Sequence, residues 1–253
     1  MRVNDLTDTS YWAPKGLVRT KCRPDPLLSI EDFELEPLLS KILSHAHSVL
    51  EIGCGSSYWL PYFEKALRLE AAGIDFSPIQ CDISRRLLAG EGATATVKCR
   101  DFRDPPQEWI GHFDAVFSAG VVEHFNDTSG TLKAFARYIR PGGLMITTVP
   151  NLSGIWGSLT SAICHSVLKV HNVFPLSALI AAHREANLRI VEARYIRWLA
   201  TSILNTRTFS PAGFLNYIAY KLARTLRRAM PQLCNLQSQH LSAGQLIIAE
   251  VPK

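Results

Sequence analysis

An α/β fold, doubly wound about a mostly parallel seven-stranded sheet and carrying helical cap insertions, follows from three features of the chain. Over the first 150 residues, short apolar runs alternate with amphipathic helical stretches. One of those runs, Val49-Leu-Glu-Ile52, passes directly into Gly53-Cys54-Gly55, as a buried strand does when it ends in a turn that must approach a ligand. Beyond Pro150 the alternation loosens, and two further strand-like runs follow. Such an order covers both sheet faces with helices and puts ligands at the carboxyl ends of the strands.

Residues 1–30 are mixed in character and Pro-rich, and they contain the aromatic pair Tyr11-Trp12; they read as an N-terminal arm or lid. Residues 31–253 read as a single domain with cap insertions at about 152–174 and 200–244. A helix is expected over 31–47, where Leu35, Leu38, Leu39, Ile42 and Leu43 recur at helical spacing behind Glu31 and Asp32. The first strand is 48–52. A helix follows from near Tyr58 to about Leu69, then a strand over 71–75. Pro78 suits the first turn of the next helix, which ends near Gly90-Glu-Gly92. Further strands are expected at 95–99 and 113–117, a helix at 132–139, a turn at Pro141-Gly142-Gly143 and a strand at 144–149. Residues 175–187 read as a helix, 189–199 as a strand-like run, 211–230 as an amphipathic helix and 245–251 as the last strand.

The bulk composition fits this plan. Of 253 residues 47% are hydrophobic and 19% charged, which supports a sizeable core. The net charge of +5 is mild and singles out neither a membrane surface nor RNA as partner. Six cysteines show no CxxC pair and no zinc-ligand spacing, so no metal site is expected and reduced, mostly buried thiols are the plain reading. The opening residues lack the apolar stretch of a signal peptide, and the most apolar window, 152–170, is broken by His165 and Lys169. A cytoplasmic protein without a membrane span is the expectation. Oligomeric state is left open.

Glu51 stands beside the two glycines. A pyrophosphate would be repelled by a carboxylate there, so the expected ligand carries positive charge or hydroxyls. Asp75 lies at the end of the second strand, where a carboxylate can accept two hydrogen bonds from ribose hydroxyls. The bland alternative for Asp75 is a helix cap, although Ser77 is the better candidate for that.

At these residues the chain resembles the class I S-adenosylmethionine-dependent methyltransferases, a Rossmann-like family. The resemblance is clear over about 45–151. Residues 49–57 look like the family's glycine-rich loop, Gly73-Ile-Asp75 its second strand, and Cys99-Arg-Asp101-Phe102 its third-strand motif. Residues 113–125, with Val122-Glu123-His124, look like the fourth strand and its loop, and 140–151 like the fifth. The resemblance implies S-adenosylmethionine as cofactor. It implies that Gly53, Cys54 and Gly55 leave room for the methionine part, with Glu51 orienting the loop or reaching the ammonium. Asp101 would accept from the adenine amino group, with the Phe102 amide donating to the ring; an exposed loop acid is the alternative. Phe76 would pack on adenine or belong to ordinary core. Ser118 and Ala119 would stand beside the sulfonium.

The implied reaction is in-line methyl transfer to a small-molecule acceptor, which asks the protein mainly to position the nucleophile and exclude water. His124 is the candidate base, with Glu123, Asn151 and Tyr11 as further candidates for the reacting pocket. A structural His124 and a merely packed Tyr11-Trp12 are the alternatives. His171 could line the substrate pocket, though a lone His in a helical stretch is usually structural. Arg224, Arg227 and Arg228 share a helical face and form either a solvated surface or an anion clamp. Ser118-Ala-Gly-Val stands where base-amino methyltransferases carry an (Asp/Asn)-Pro-Pro-aromatic motif, so a nucleic-acid partner is not expected. Two other readings keep the same site: cyclisation of S-adenosylmethionine to azetidine-2-carboxylate with release of methylthioadenosine, and a non-catalytic binding module.

Overall fold

The computed structural model describes residues 5–12, 30–163, 168–198 and 236–253, together with 221, 222, 225, 229 and 232. Seven strands form one sheet: β1 (Ser48–Ile52), β2 (Glu70–Asp75), β3 (Thr96–Cys99), β4 (Phe113–Ala119), β5 (Ile139–Pro150), β6 (Arg189–Trp198) and β7 (Ser242–Glu250). Their order is β3-β2-β1-β4-β5-β7-β6. Strands β1 to β5 pair in parallel, and β7 runs antiparallel to both β5 and β6. The sheet is thus mixed, with β7 reversed. The chain winds outward from β1 through β2 to β3, then returns to β4 beside β1 and winds the other way. The order therefore reverses between β1 and β4, and there a crevice opens at the carboxyl ends.

Six helices are described: α1 (Ile30–Ile42), α2 (Trp59–Lys65), α3 (Pro78–Gly90), α4 (Thr128–Ala136), α5 (Ile155–Ile163) and α6 (Leu176–Glu185). Alternation along β1 shows how they cover the sheet. Val49 joins a core with Leu35 and Leu39 of α1 and Trp59, Leu60 and Phe63 of α2. Leu50 and Ile52 face the opposite core, with Leu132 and Phe135 of α4 and Leu179 of α6. Period-two alternation sends successive side chains to opposite faces, so one apolar run feeds both layers. None of the described helices is long and apolar enough to cross a membrane.

Several boundaries differ from expectation. Helix α1 stops at Ile42 and α2 at Lys65, where Arg68 turns through φ 58° before β2. Helix α4 begins at Thr128, earlier than expected, because Asp127 caps it by accepting from the Gly130 amide at 2.8 Å. Pro141-Gly142-Gly143 is not a turn before β5 but a bulge inside it. One residue separates Phe113 from Ala115 in β4, while four separate their partners Ile139 and Leu144. Gly142, at φ 79°, makes the bulge possible. Of the insertion expected over 200–244, the helix at 211–230 and the Arg224, Arg227 and Arg228 face lie almost wholly outside the described residues, as does the arm from 13 to 29.

Candidate active site

A cavity opens at the carboxyl ends of β1, β2 and β4. Its floor is the β1 turn. Gly53 sits at φ 78°, and a Cβ there would come within 2.4 Å of Val121 Cγ2. A Cβ on Gly55 would meet Gln80 Cβ at 2.4 Å and Asp75 Oδ2 at 2.8 Å. Both glycines line the cavity, so the backbone itself is the wall. Cys54 between them points the other way. It is fully buried against Gly73, and burial raises its thiol pKa well above the ordinary value.

Asp75 forms one side. Its Oδ2 accepts from the Gly55 amide at 3.0 Å and its Oδ1 from the Ser77 amide at 2.8 Å. Burial raises its pKa, and those two amides counter the shift. Each oxygen keeps a lone pair for a ligand hydroxyl. Ser77, not Asp75, caps α3, with Pro78 in the first turn. Phe76, 39% exposed, and Phe102 both line the cavity, and Phe102 is held edge-on by Phe125 and Phe135.

Glu51 lies under the glycine turn, 2% exposed. Burial pushes its carboxyl up to about 8, only partly offset by a hydrogen bond from Ser57. Its Oε2 finds no hydrogen-bond partner among the described residues. The buried hydroxyl of Ser118, at the end of β4, is likewise without one, and Ala119 lines the cavity beside it. A buried acid with an idle oxygen, close-approach glycines and a ribose-type carboxylate are what a ligand bearing ammonium and ribose groups would require.

Asp101 is not on the cavity wall. Its carboxylate takes Arg103, whose guanidinium also grips Asp5 of the arm at 2.7 and 2.8 Å. This clasp brings the arm over the cavity. Asp5 bridges Phe125, and the Leu6 amide donates to the His124 carbonyl at 2.9 Å. Trp12 Nε1 donates to Thr7 Oγ1 at 3.1 Å, Gln80 donates to the Trp12 carbonyl, and Thr7 and Trp12 line the cavity.

Tyr11 and Trp12 bring their rings to 5.9 and 5.0 Å from the His124 ring. His124 follows β4 in a short 3-10 turn. Its Nδ1 lies 2.6 Å from the Val170 carbonyl, which can only accept, so Nδ1 carries the proton and Nε2 the lone pair. Burial, and secondly His171, push its pKa down to about 4, so the ring is neutral at neutral pH. Glu123 beside it is 1% exposed, and burial raises it to about 8. Asn151 is elsewhere occupied. Its amide donates to Gln239 O and Ser242 O at 2.7 Å, and its Oδ1 accepts from Ser153 and Gln245, tying β5 to the start of β7.

The sequence thus locates the turn, Asp75 and His124, and the structure brings these together with Phe76, Phe102, Ala119 and Trp12 around one cavity. It sets Asp101 and Asn151 apart from the wall. Thr7, Gln80 and Arg100 also line it and were not anticipated. Gln80 had a local signal, since the first turn of a helix that starts at the site faces it. Thr7 had none, because contacts of the arm with residues distant in sequence place it, the Asp5–Arg103 clasp and the Leu6–His124 bond among them.

A family model described as a methyltransferase domain matches residues 30–193. The ubiquinone biosynthesis O-methyltransferase of Bradyrhizobium sp. (strain ORS 278) is 30% identical over 169 residues, which cover 64% of this chain and 64% of that protein. The chain spans 52% and 64% of the length of the first two curated relatives it matches. Among solved structures, geranyl diphosphate C-methyltransferase from Streptomyces coelicolor A3(2), in complex with Mg2+, geranyl diphosphate and S-adenosyl-L-homocysteine, superposes with a TM-score of 0.59 at 14% identity over 96% of each chain. The (4+2)-cyclase SpnF superposes with a TM-score of 0.59 at 15% identity, over 87% of this chain and 81% of that one. At such identities the two structures speak for the fold alone.

Proposed function

This chain belongs to the class I S-adenosylmethionine-dependent methyltransferase-domain family, and from that membership we propose that it transfers a methyl group from S-adenosylmethionine to a small-molecule acceptor. The observation that carries the reading is Asp75, held by the Gly55 and Ser77 amides on the wall of a cavity whose floor is glycine backbone. In this reading Asp75 accepts from both ribose hydroxyls. Glu51 meets the ammonium from below the turn, and Gly53 and Gly55 allow the methionine part to lie against the backbone. Phe76 and Phe102 flank the adenine, with Asp101 and Arg103 behind it. Ser118 and Ala119 end beside the sulfonium.

When bound, the cofactor supplies a methyl already activated by its positively charged sulfur. The residues of the chain do the rest. His124 offers Nε2 as a hydrogen-bond acceptor that orients the nucleophile and can receive its proton. Thr7, Tyr11 and Trp12 cover the opening and exclude water. Rings near the sulfonium stabilise its charge by about 0.5–2 kcal/mol each. Asn151 acts at a distance by fixing the segment that follows β5.

The test is incubation of the full chain with S-adenosylmethionine, alone and with candidate acceptors. The reading expects S-adenosylhomocysteine only where an acceptor is present. Methylthioadenosine formed from the cofactor alone would replace it with the cyclising reaction. Failure to bind S-adenosylhomocysteine at all would leave a non-catalytic module.

A further inference from the structure

His171 comes from a segment far along the chain from the β4 loop, yet its ring centroid lies 4.4 Å from that of His124. The approach is built in. The Val170 carbonyl accepts from His124 Nδ1 at 2.6 Å, the Asn172 amide donates to the Glu123 carbonyl at 2.7 Å, and Asn172 Nδ2 donates to the Phe125 carbonyl at 2.8 Å. Three hydrogen bonds thus fasten residues 170–172 to 123–125, with His171 in the middle. One ligand atom from each of Glu123, His124 and His171 lies within 4.8 Å of the others. Glu123 is 1% exposed, and its Oε2 is without a hydrogen-bond partner among the described residues.

We propose that Glu123, His124 and His171 form a binding site for a first-row transition-metal ion, with Zn2+ the best match, at the edge of the cavity. Two imidazoles and one carboxylate suit zinc or iron and do not suit magnesium, which prefers an all-oxygen shell. Three protein ligands leave a position open, as catalytic zinc sites do. His124 lines the cavity, so that position faces it. The Val170 carbonyl on Nδ1 is the outer partner that orients a ligating imidazole and leaves Nε2 for the ion. The idle Glu123 oxygen gains its missing partner. In so far as the methyl-transfer reading holds, an acceptor hydroxyl would engage the ion in the open position, and His124 would serve as ligand in place of direct contact with the acceptor.

The 253-residue chain, stripped with a chelator, is titrated with Zn2+ by calorimetry and with Co2+ by visible absorption. One Zn2+ per chain and Co2+ d–d bands of a low-coordinate nitrogen–oxygen site are expected. His171→Ala should weaken Zn2+ binding by at least about tenfold, since even outer-shell changes cost that much. Substitution of exposed His112 by Ala should change nothing, and Mg2+ should not compete. His171 is only half-buried, so His171→Ala keeps the test available if Glu123→Gln fails to fold. Zn2+ bound well below one per chain, or bound equally by His171→Ala, overturns the site. S-adenosylhomocysteine titrated into the same samples separates the two readings. A chain that binds S-adenosylhomocysteine but fails to take up Zn2+ sinks only the metal site, and one that takes up Zn2+ but fails to bind S-adenosylhomocysteine sinks only the methyl-transfer reading.

Discussion

Asp75 and Glu51 are both carboxyls beside one turn, yet their surroundings give them different tasks. Two backbone amides hold Asp75 as an acceptor on the cavity wall. Replacing it with Ala removes charge-assisted hydrogen bonds worth about 1.5–3 kcal/mol each, so S-adenosylhomocysteine affinity should fall at least about tenfold in a calorimetric titration. Glu51 is buried and pushed up to about 8, hence protonated at neutral pH in the free protein. An arriving ammonium favours its ionised form, so affinity should rise as pH goes from 6 to 8, with a proton released on binding. Glu51→Gln should flatten that slope, and equal slopes would contradict the role. The stability of the free protein moves the opposite way. A carboxyl whose folded pKa is raised above 4.5 contributes stability that is present below 4.5 and lost as pH rises through about 8. Thermal unfolding of the wild type between pH 5 and 9 should show this fall, and Glu51→Gln should reduce it. Asp75 was legible because it ends a strand at the right distance from the glycines. The second grip of Arg103, which holds Asp5 as well as Asp101, was not, because no local pattern reveals a partner 98 positions away.

At the level of elements, the β1 turn connects sequence to cavity. Gly53→Ala places a Cβ 2.4 Å from Val121 Cγ2 at φ 78°. Left-handed backbone alone costs an alanine about 1–2 kcal/mol, and about 2–4 °C of melting temperature goes with each kcal/mol in a domain of this size. A drop of at least about 2 °C is therefore expected by differential scanning fluorimetry, together with weaker S-adenosylhomocysteine binding. An unchanged melting temperature would mean that the turn can relax. Strands β1 and β4 could be read from sequence because each is a short, mostly apolar stretch with a single acid inside it, Glu51 in β1 and Asp114 in β4. The start of β5 could not. Proline and two glycines signal a turn locally, and only the pairing of Ile139 with Phe113 shows that the strand has already begun. Helix α4 starts ahead of its first buried leucine, Leu132, because its start is set by the Asp127 cap and not by apolar spacing.

Across the whole molecule, the arm and the sheet act together. Residues 5–12 are held at the cavity by the Asp5–Arg103 clasp, the Asp5–Phe125 bridge, the Leu6–His124 bond and the Gln80–Trp12 bond. Arg103→Ala should loosen that cover, seen as faster hydrogen exchange at the Leu6 amide. Trp12→Ala should weaken cofactor retention or turnover; if both stay intact, the arm is not a lid. The place of the cavity was readable in advance, since the strand order reverses beside β1 in any sheet wound this way. Its roof was not, and neither was the meeting of His124 with His171, because both depend on where distant segments dock. The most direct test of the cofactor site is calorimetric titration of S-adenosylhomocysteine into the wild-type chain and Asp75→Ala side by side. Saturable one-to-one binding by the wild type and loss of at least about tenfold in the variant are expected; no binding by the wild type, or equal binding by both, would contradict a cofactor site built on Asp75.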